Sequence, residues 1–165
     1  MKENIWAKTL LGVYRHLETV SDAIDKIVLK TALNSYHFSL DGDDVLSTSN
    51  KLIELGERKV TLINLKLLVE EILTKIGQNE ADILICRYIE GMKFKDIAFE
   101  KGLGLRTVFR RLDKAETSFT KKLLNMGYNS LSLQNKLKSE KWILNYYYDI
   151  QSSKTDEVEI KKIAL

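Results

Sequence analysis

The sequence of 165 residues contains no proline. Nothing in it fixes φ or removes a backbone donor mid-helix, so long helices meet no obligatory break. Cysteine is nearly absent too. Cys86 stands alone, which excludes an internal disulfide framework and fits a reducing, cytoplasmic setting. His16 and His37, the two histidines, share no metal-ligand spacing with Cys86, so neither a metal site nor a cofactor is expected. No apolar run approaches the ~20 residues that span a bilayer, so no membrane association is expected. The opening MKENIWAKTLLGVYRH lacks an uninterrupted apolar core and a small-residue cleavage site, and no signal peptide is read there.

Catalytic sets are missing as well. There is no nucleophile–base arrangement, no phosphate-binding glycine loop and no metal cluster, so an enzyme is not expected. Asp41, Asp43 and Asp44 suggest acidic ligands, but the further ligands and the glutamate at fixed spacing are missing. They read as turn formers and as negative charge at a helix N-terminus.

What is abundant is leucine, isoleucine, lysine and glutamate, which with the missing proline predicts an all-α fold. Leu10, Val13, Leu17, Val20, Ile24 and Ile27 recur in alternating steps of three and four, the seam of a coiled coil or helical hairpin. This predicts a first helix from about Ile5 to about Phe38. In SLDGDDVLSTSN, Asp41-Gly42 favours a turn and the Ser/Thr/Asn cluster offers N-caps. A second helix follows, with Ile53, Val60, Ile63 and Leu67 on one stripe and Leu52, Leu55, Leu62 and Ile72 beside it. It is expected to end at Ile76-Gly77, with the glycine left-handed. Residues 1–77 then form an antiparallel hairpin, a scaffold or an oligomerisation arm. Its seam suits a homodimer through the N-terminal helices, or closes internally and leaves a monomer.

After Gly77 the pattern shortens. Asn79 is expected to cap a helix over about Glu80–Glu90, with Ile83, Leu84, the Arg87 stem and Tyr88 facing in and Gly91 closing it. A second helix spans about Phe94–Lys101 and a third about Leu105–Asn125, ending at Met126-Gly127. Residues 78–128 thus make a second domain. Residues 129–165 hold one more helix, through Leu133, Leu137, Leu144 and Tyr147 or Tyr148, and a loose tail. WILNYYYDI suits a strand as well as a helix; helix is preferred.

Charge is uneven. Residues 1–77 carry ten basic and eleven acidic side chains, whereas Lys101 to Lys122 carries seven basic and two acidic ones. That patch lies on FKDIAFEKGLGLRTVFRRLDKA. A helix-turn-helix needs a small residue in its first helix, here Ala98, and an apolar plug in its turn, here Leu103. It also needs residues for unusual backbone angles or an N-cap, here Gly102 and Gly104. Val108, Leu112, Ala115, Phe119 and Leu123 give the second helix a buried stripe. The opposite side then carries Leu105, Arg106, Phe109, Arg110, Asp113 and Lys114. Such a helix fits the major groove of double-stranded DNA. Arg106 and Arg110 are assigned to base edges, and Phe109 and Leu105 to thymine methyls. Thr107, Arg111 and Lys114, with Lys93 or Lys95, are assigned to phosphates.

RYIEGMKFKDIAFEKGLGLRTVFRRLDKA resembles region 4 of the sigma-70 family over about fifty residues, from Gln78 to Tyr128. Tyr88, Glu90, Gly91, Ile97, Ala98, Gly102, Leu103, Thr107, Val108, Leu112 and Ala115 occupy positions that match the family pattern. Asp96 stands where glutamate is usual, Gly104 where serine caps the helix, and Lys101 where an apolar residue is usual. The layout is similar to phage late-gene activators of the ArpU and RinA type. The resemblance implies a transcriptional regulator of a phage or mobile element, without the domain by which a sigma factor melts promoter DNA. Relatives in the family also bind RNA polymerase. That leaves a second expectation, an adaptor for polymerase or for a sigma factor, with Phe119, Leu123 and the segment Trp142–Tyr148 as its surfaces.

Overall fold

The computed structural model describes the backbone of residues 2–38 and 42–163 and the side chains of residues 4–35 and 45–153. It is all-helical: among the described residues there are seven α-helices and no strand. They are α1 (Lys2–Phe38), α2 (Gly42–Lys75), α3 (Gln78–Leu84), α4 (Phe94–Glu100), α5 (Leu105–Asn125), α6 (Ser130–Lys136) and α7 (Lys141–Ile163). A π-helical turn, Ile85–Ile89, continues α3.

α1 and α2 lie side by side and antiparallel. Tyr14 Oη donates to Glu70 Oε1 at 2.6 Å, Lys66 Nζ to Glu18 Oε2 at 3.3 Å, and Lys59 Nζ to Asp25 Oδ1 at 2.6 Å. The partner numbers fall on one helix as they rise on the other, which only opposite directions produce. α1 is also the hub of the molecule, touching α5, α6 and α7 as well as α2.

One buried apolar cluster draws on all three sequence regions: Trp6, Leu10 and Leu17 from α1, Leu62 and Ile72 from α2, Phe119 from α5, and Leu133 and Tyr147 from the C-terminal helices. Trp6 stacks on Tyr147 with ring centroids 4.3 Å apart, and its indole N–H donates to Ser130 Oγ at 3.0 Å. That hydrogen bond lets a fully buried indole keep its polar edge satisfied. The aromatic segment at Trp142–Ile150 is therefore helical and partly core.

Two buried carboxylates bind the layers together. Glu140, just before α7, accepts from Arg58 Nε at 2.9 Å, Arg58 Nη2 at 3.2 Å and Trp142 Nε1 at 3.0 Å. Glu116 of α5 accepts from Tyr88 Oη at 2.6 Å and lies 3.2 Å from Lys8 Nζ. A carboxylate is tolerated in a core only when paired and hydrogen-bonded in this way. Both pairs cross between distant parts of the sequence, so they fix how α1 and α2 sit against the rest.

Several local expectations are corrected. Asp41 lies outside the described residues, while Gly42 already begins α2. Ser47, Thr48, Ser49 and Asn50 therefore sit inside α2 rather than capping it, and Ser49 instead returns its hydroxyl to the Val45 carbonyl at 2.9 Å. Gly77 is extended (φ −60°, ψ 141°), not left-handed, and serves as N-cap of α3. Asn79 is accordingly within the helix. The last region holds two helices, not one, because the chain breaks between Lys136 and Lys141. The expected loose tail continues as α7 to Ile163.

The largest correction concerns α2. Leu55, Leu62, Leu65, Leu68, Val69, Ile72 and Leu73 form its buried face, and Ile53, Val60, Ile63 and Leu67 are exposed. In α1, by contrast, Leu10, Val13, Leu17 and Ile24 of the predicted seam are buried inside the chain itself, Val20 is half-buried, and Ile27, its last member, is exposed. Beyond Ile24 in α1 and before Leu55 in α2 no described apolar residue is fully buried, so these ends form an arm.

Candidate nucleic-acid interface

α4 ends because Gly102 adopts a left-handed φ of 61°, which an L side chain enters only at a cost. The following amides then turn back: Leu103 N–H donates to the Ala98 carbonyl at 2.9 Å, and Gly102 N–H to the Phe99 carbonyl at 3.2 Å. This pair of bonds is a Schellman motif, and it drops Leu103 onto the helix it has just left. Gly104, extended at φ −68° and ψ 147°, then starts α5. Its carbonyl accepts from Thr107 N–H at 2.9 Å and Val108 N–H at 3.1 Å, and no side chain caps the helix.

α5 is held by one stripe. Val108, Leu112, Ala115, Phe119 and Leu123 are all buried, against Ile97 of α4, α3 and the N-terminal part of α1. This is the stripe the spacing predicts, and it orients the remaining residues outward. Arg106, Phe109, Arg110, Arg111, Asp113 and Lys114 are exposed and Thr107 is half-buried. Lys93, the N-cap of α4, and Lys95 in its first turn are exposed as well. The site residues proposed from the sequence therefore share an accessible surface around α4 and the first half of α5.

Within that surface the residues are not equivalent. Phe109 packs on Phe94, with centroids 4.5 Å apart and planes tilted by 48°. The guanidinium of Arg87 lies over the Phe94 ring, 4.1 Å from its centroid, and donates to the Met92 carbonyl at 3.0 Å. Phe109 is thus part of the joint between α4 and α5 while staying 46% exposed. Lys114 Nζ lies 3.4 Å from Glu80 Oε1, and Arg111 faces Asn79 and Asp82 across a shallow pocket of about 50 Å³. These two cations border the acidic start of α3, whereas Arg106 and Arg110 stand one helical turn apart with no acidic partner in ion-pair contact among the described residues.

Burial also sharpens the charge. Glu116, one of the two acids between Lys101 and Lys122, is buried and faces Lys8 and Tyr88, so within that stretch Asp113 is the one exposed acid. Tyr88 is held protonated well above the ordinary phenol range, first by burial and then by the charge of Glu116. Sequence spacing could not reveal this, because Glu116 lies beside the buried stripe at an ordinary polar position of the helix. Phe99, which no sequence pattern singles out, is 91% exposed at the end of α4 beside the turn. Phe119 and Leu123, expected as surfaces for a polymerase partner, are fully inside the core.

Among the described residues no group of three or more His, Cys, Asp or Glu side chains is placed to hold a metal, and no helix is long and apolar enough to cross a membrane. Cys86 is buried, and its thiol is pushed up by that burial, which makes it a core residue rather than a nucleophile. No family model, curated protein or solved structure matches this chain.

Proposed function

We propose that the protein is a transcriptional regulator that binds double-stranded DNA, with α4 and α5 as a helix-turn-helix of the sigma region 4 type and α1–α2 as a helical hairpin. One observation carries this reading: α5 buries its apolar stripe and presents Arg106 and Arg110, one turn apart and without an ion pair among the described residues, from the N-terminal half of a helix that follows a tight glycine turn. In a major groove those guanidiniums reach the O6 and N7 atoms of guanine, the commonest specific contact. Lys93, Lys95, Thr107, Arg111 and Lys114 flank them at phosphate height, with Lys114 exchanging Glu80 for a phosphate oxygen. Phe109 holds the reading helix against Phe94 and offers its free edge, with Leu105, to thymine methyls.

The reading supports an activator from a phage or mobile element in the cytoplasm. RNA polymerase is a second partner of this proposal. Phe99, exposed beside the turn and dispensable for contacts to phosphates, is the side chain we assign to it. The test is a gel shift on fragments upstream of the protein's own operon, comparing wild type with Arg106→Ala/Arg110→Ala. Loss of the specific shift supports the assignment. Equal shifts by both proteins, or polymerase capture with no DNA binding at all, remove it.

A further inference from the structure

α2 is apolar on two opposite faces, and its own fold uses only one. The buried face packs on α1 and the core through Leu55, Leu62, Leu65, Val69 and Ile72. On the other side Leu46, Ile53, Val60 and Leu67 recur at strict intervals of seven, with Ile63 between the last two, and they are 42–65% exposed. A heptad row kept over three repeats is the mark of helix-on-helix packing. Among the described residues nothing covers this row, and the fold already uses the buried face. At the toe of the row, Ile63 and Leu67 line an open groove of about 360 Å³ between α1 and α2.

At the middle of the row stands Gly56. Mid-helix glycine is unfavourable unless some neighbour needs the room. Gly12 in α1 has such a neighbour: a Cβ there would meet the Tyr146 hydroxyl at 2.6 Å. Gly56 has none, for a Cβ there would meet nothing within 4 Å. The space beside it is open among the described residues.

We propose that this outer face of α2 is a self-association surface, on which a second copy packs antiparallel about a two-fold axis beside Gly56. An evenly spaced row is self-complementary when reversed. Leu46 then faces Leu67 of the second copy, Ile53 faces Val60, and the glycines let the two backbones approach at the centre. The row is about 31 Å long. A helix contact of that length covers on the order of 1,000 Å² over both copies, the lower limit for a specific interface. Glu57 flanks the centre, and the Glu57 pair near the axis repels. Added salt screens that repulsion and strengthens the dimer, whereas it weakens binding to phosphates. This inference is independent of how α4 and α5 are used, and the opposite salt responses keep the two tests apart.

Sedimentation equilibrium of the full chain through the micromolar range, at low and high salt, is the first measurement. The expected result is a monomer–dimer equilibrium that tightens with salt. Ile53→Glu/Val60→Glu, at exposed positions, is expected to keep the helical circular dichroism and weaken the dimer about 100-fold or more. Gly56→Gln raises the melting temperature of the monomer through helix propensity yet weakens the dimer about 10-fold, a split that a merely structural role does not give. Gly56→Cys is expected to form an intermolecular disulfide under oxidation, Cys86 being buried. Asn50→Cys lies about 20 Å from its own copy in this arrangement and does not. A chain that stays monomeric throughout leaves the row to some other helix and overturns the proposal, as does a dimer indifferent to these substitutions. Cross-linking at Asn50→Cys overturns the antiparallel axis.

Discussion

The ring of Phe109 rests on the ring of Phe94, centroids 4.5 Å apart, and the guanidinium of Arg87 lies 4.1 Å from the Phe94 centroid. A residue read from sequence as a ligand contact is therefore also the hinge pin between α4 and α5. Phe94→Ala and Phe109→Ala should each lower stability by about 1–2 kcal/mol, because both rings are only partly buried. The double substitution should fall short of the sum by about 0.5–1.5 kcal/mol, the coupling typical of an aromatic pair. Urea denaturation of the four proteins checks this, and full additivity would show that the rings do not support one another.

Arg58 and Glu140 make the sharpest stability prediction. Glu140 is completely buried and depends on two hydrogen bonds from Arg58 and one from Trp142. Arg58→Ala should cost about 3–5 kcal/mol, since it leaves an uncompensated charge in the core. Arg58→Ala/Glu140→Gln should recover part of that loss by removing the charge. A double variant less stable than the single one would mean that the carboxylate is held by something other than this arginine.

Gly102 has φ 61° with open space where a Cβ would stand. Gly102→Ala should therefore cost only the backbone penalty, about 1–2 kcal/mol, without a clash. Thermal melts should show a small drop with the helical signal intact. A collapse of the fold would place a steric role on Gly102 that its surroundings do not suggest.

Two phenols set the alkaline limit. Tyr14, beside Glu70, is pushed from 10.0 up to about 12, first by burial and then by the carboxylate; Tyr88, facing Glu116, is raised further. Both are raised, so the folded state keeps a proton that the unfolded chain releases. Their contribution is complete below pH 10 and is lost as pH rises, for Tyr14 through about 12. Tyr14→Phe should flatten the fall in stability between those limits. A pH–stability curve unchanged by Tyr14→Phe and Tyr88→Phe together would contradict the assignment.

How much of this was legible in advance depended on how many faces each helix uses. α5 has one apolar stripe and a charged remainder, so Val108, Leu112, Ala115, Phe119 and Leu123 identify its buried side without ambiguity, and Gly102, Leu103 and Gly104 mark the turn before it. α2 has two apolar faces. Period alone cannot rank them, and the more regular row, through Ile53, Val60 and Leu67, is the exposed one. What decides is α1, which meets α2 along the face of Leu55 and Leu62, a long-range choice with no local signal. The same holds for Glu116 and Glu140, whose partners Lys8 and Arg58 lie far away in sequence. Gly77 shows the limit of turn chemistry, since glycine suits an N-cap as well as a left-handed C-cap.

The proposed reading of DNA is tested most directly on a duplex that wild-type protein selects from a randomised pool. Affinity for this duplex and for a scrambled one is followed against salt for wild type, Arg106→Ala, Arg110→Ala and Lys95→Ala. The account predicts that each arginine variant loses about 1–3 kcal/mol on the selected duplex and little on the scrambled one, with relaxed preference at one base pair. Lys95→Ala should weaken both duplexes alike and lower the salt slope by about one. Undiminished preference for the selected duplex in both arginine variants would contradict it.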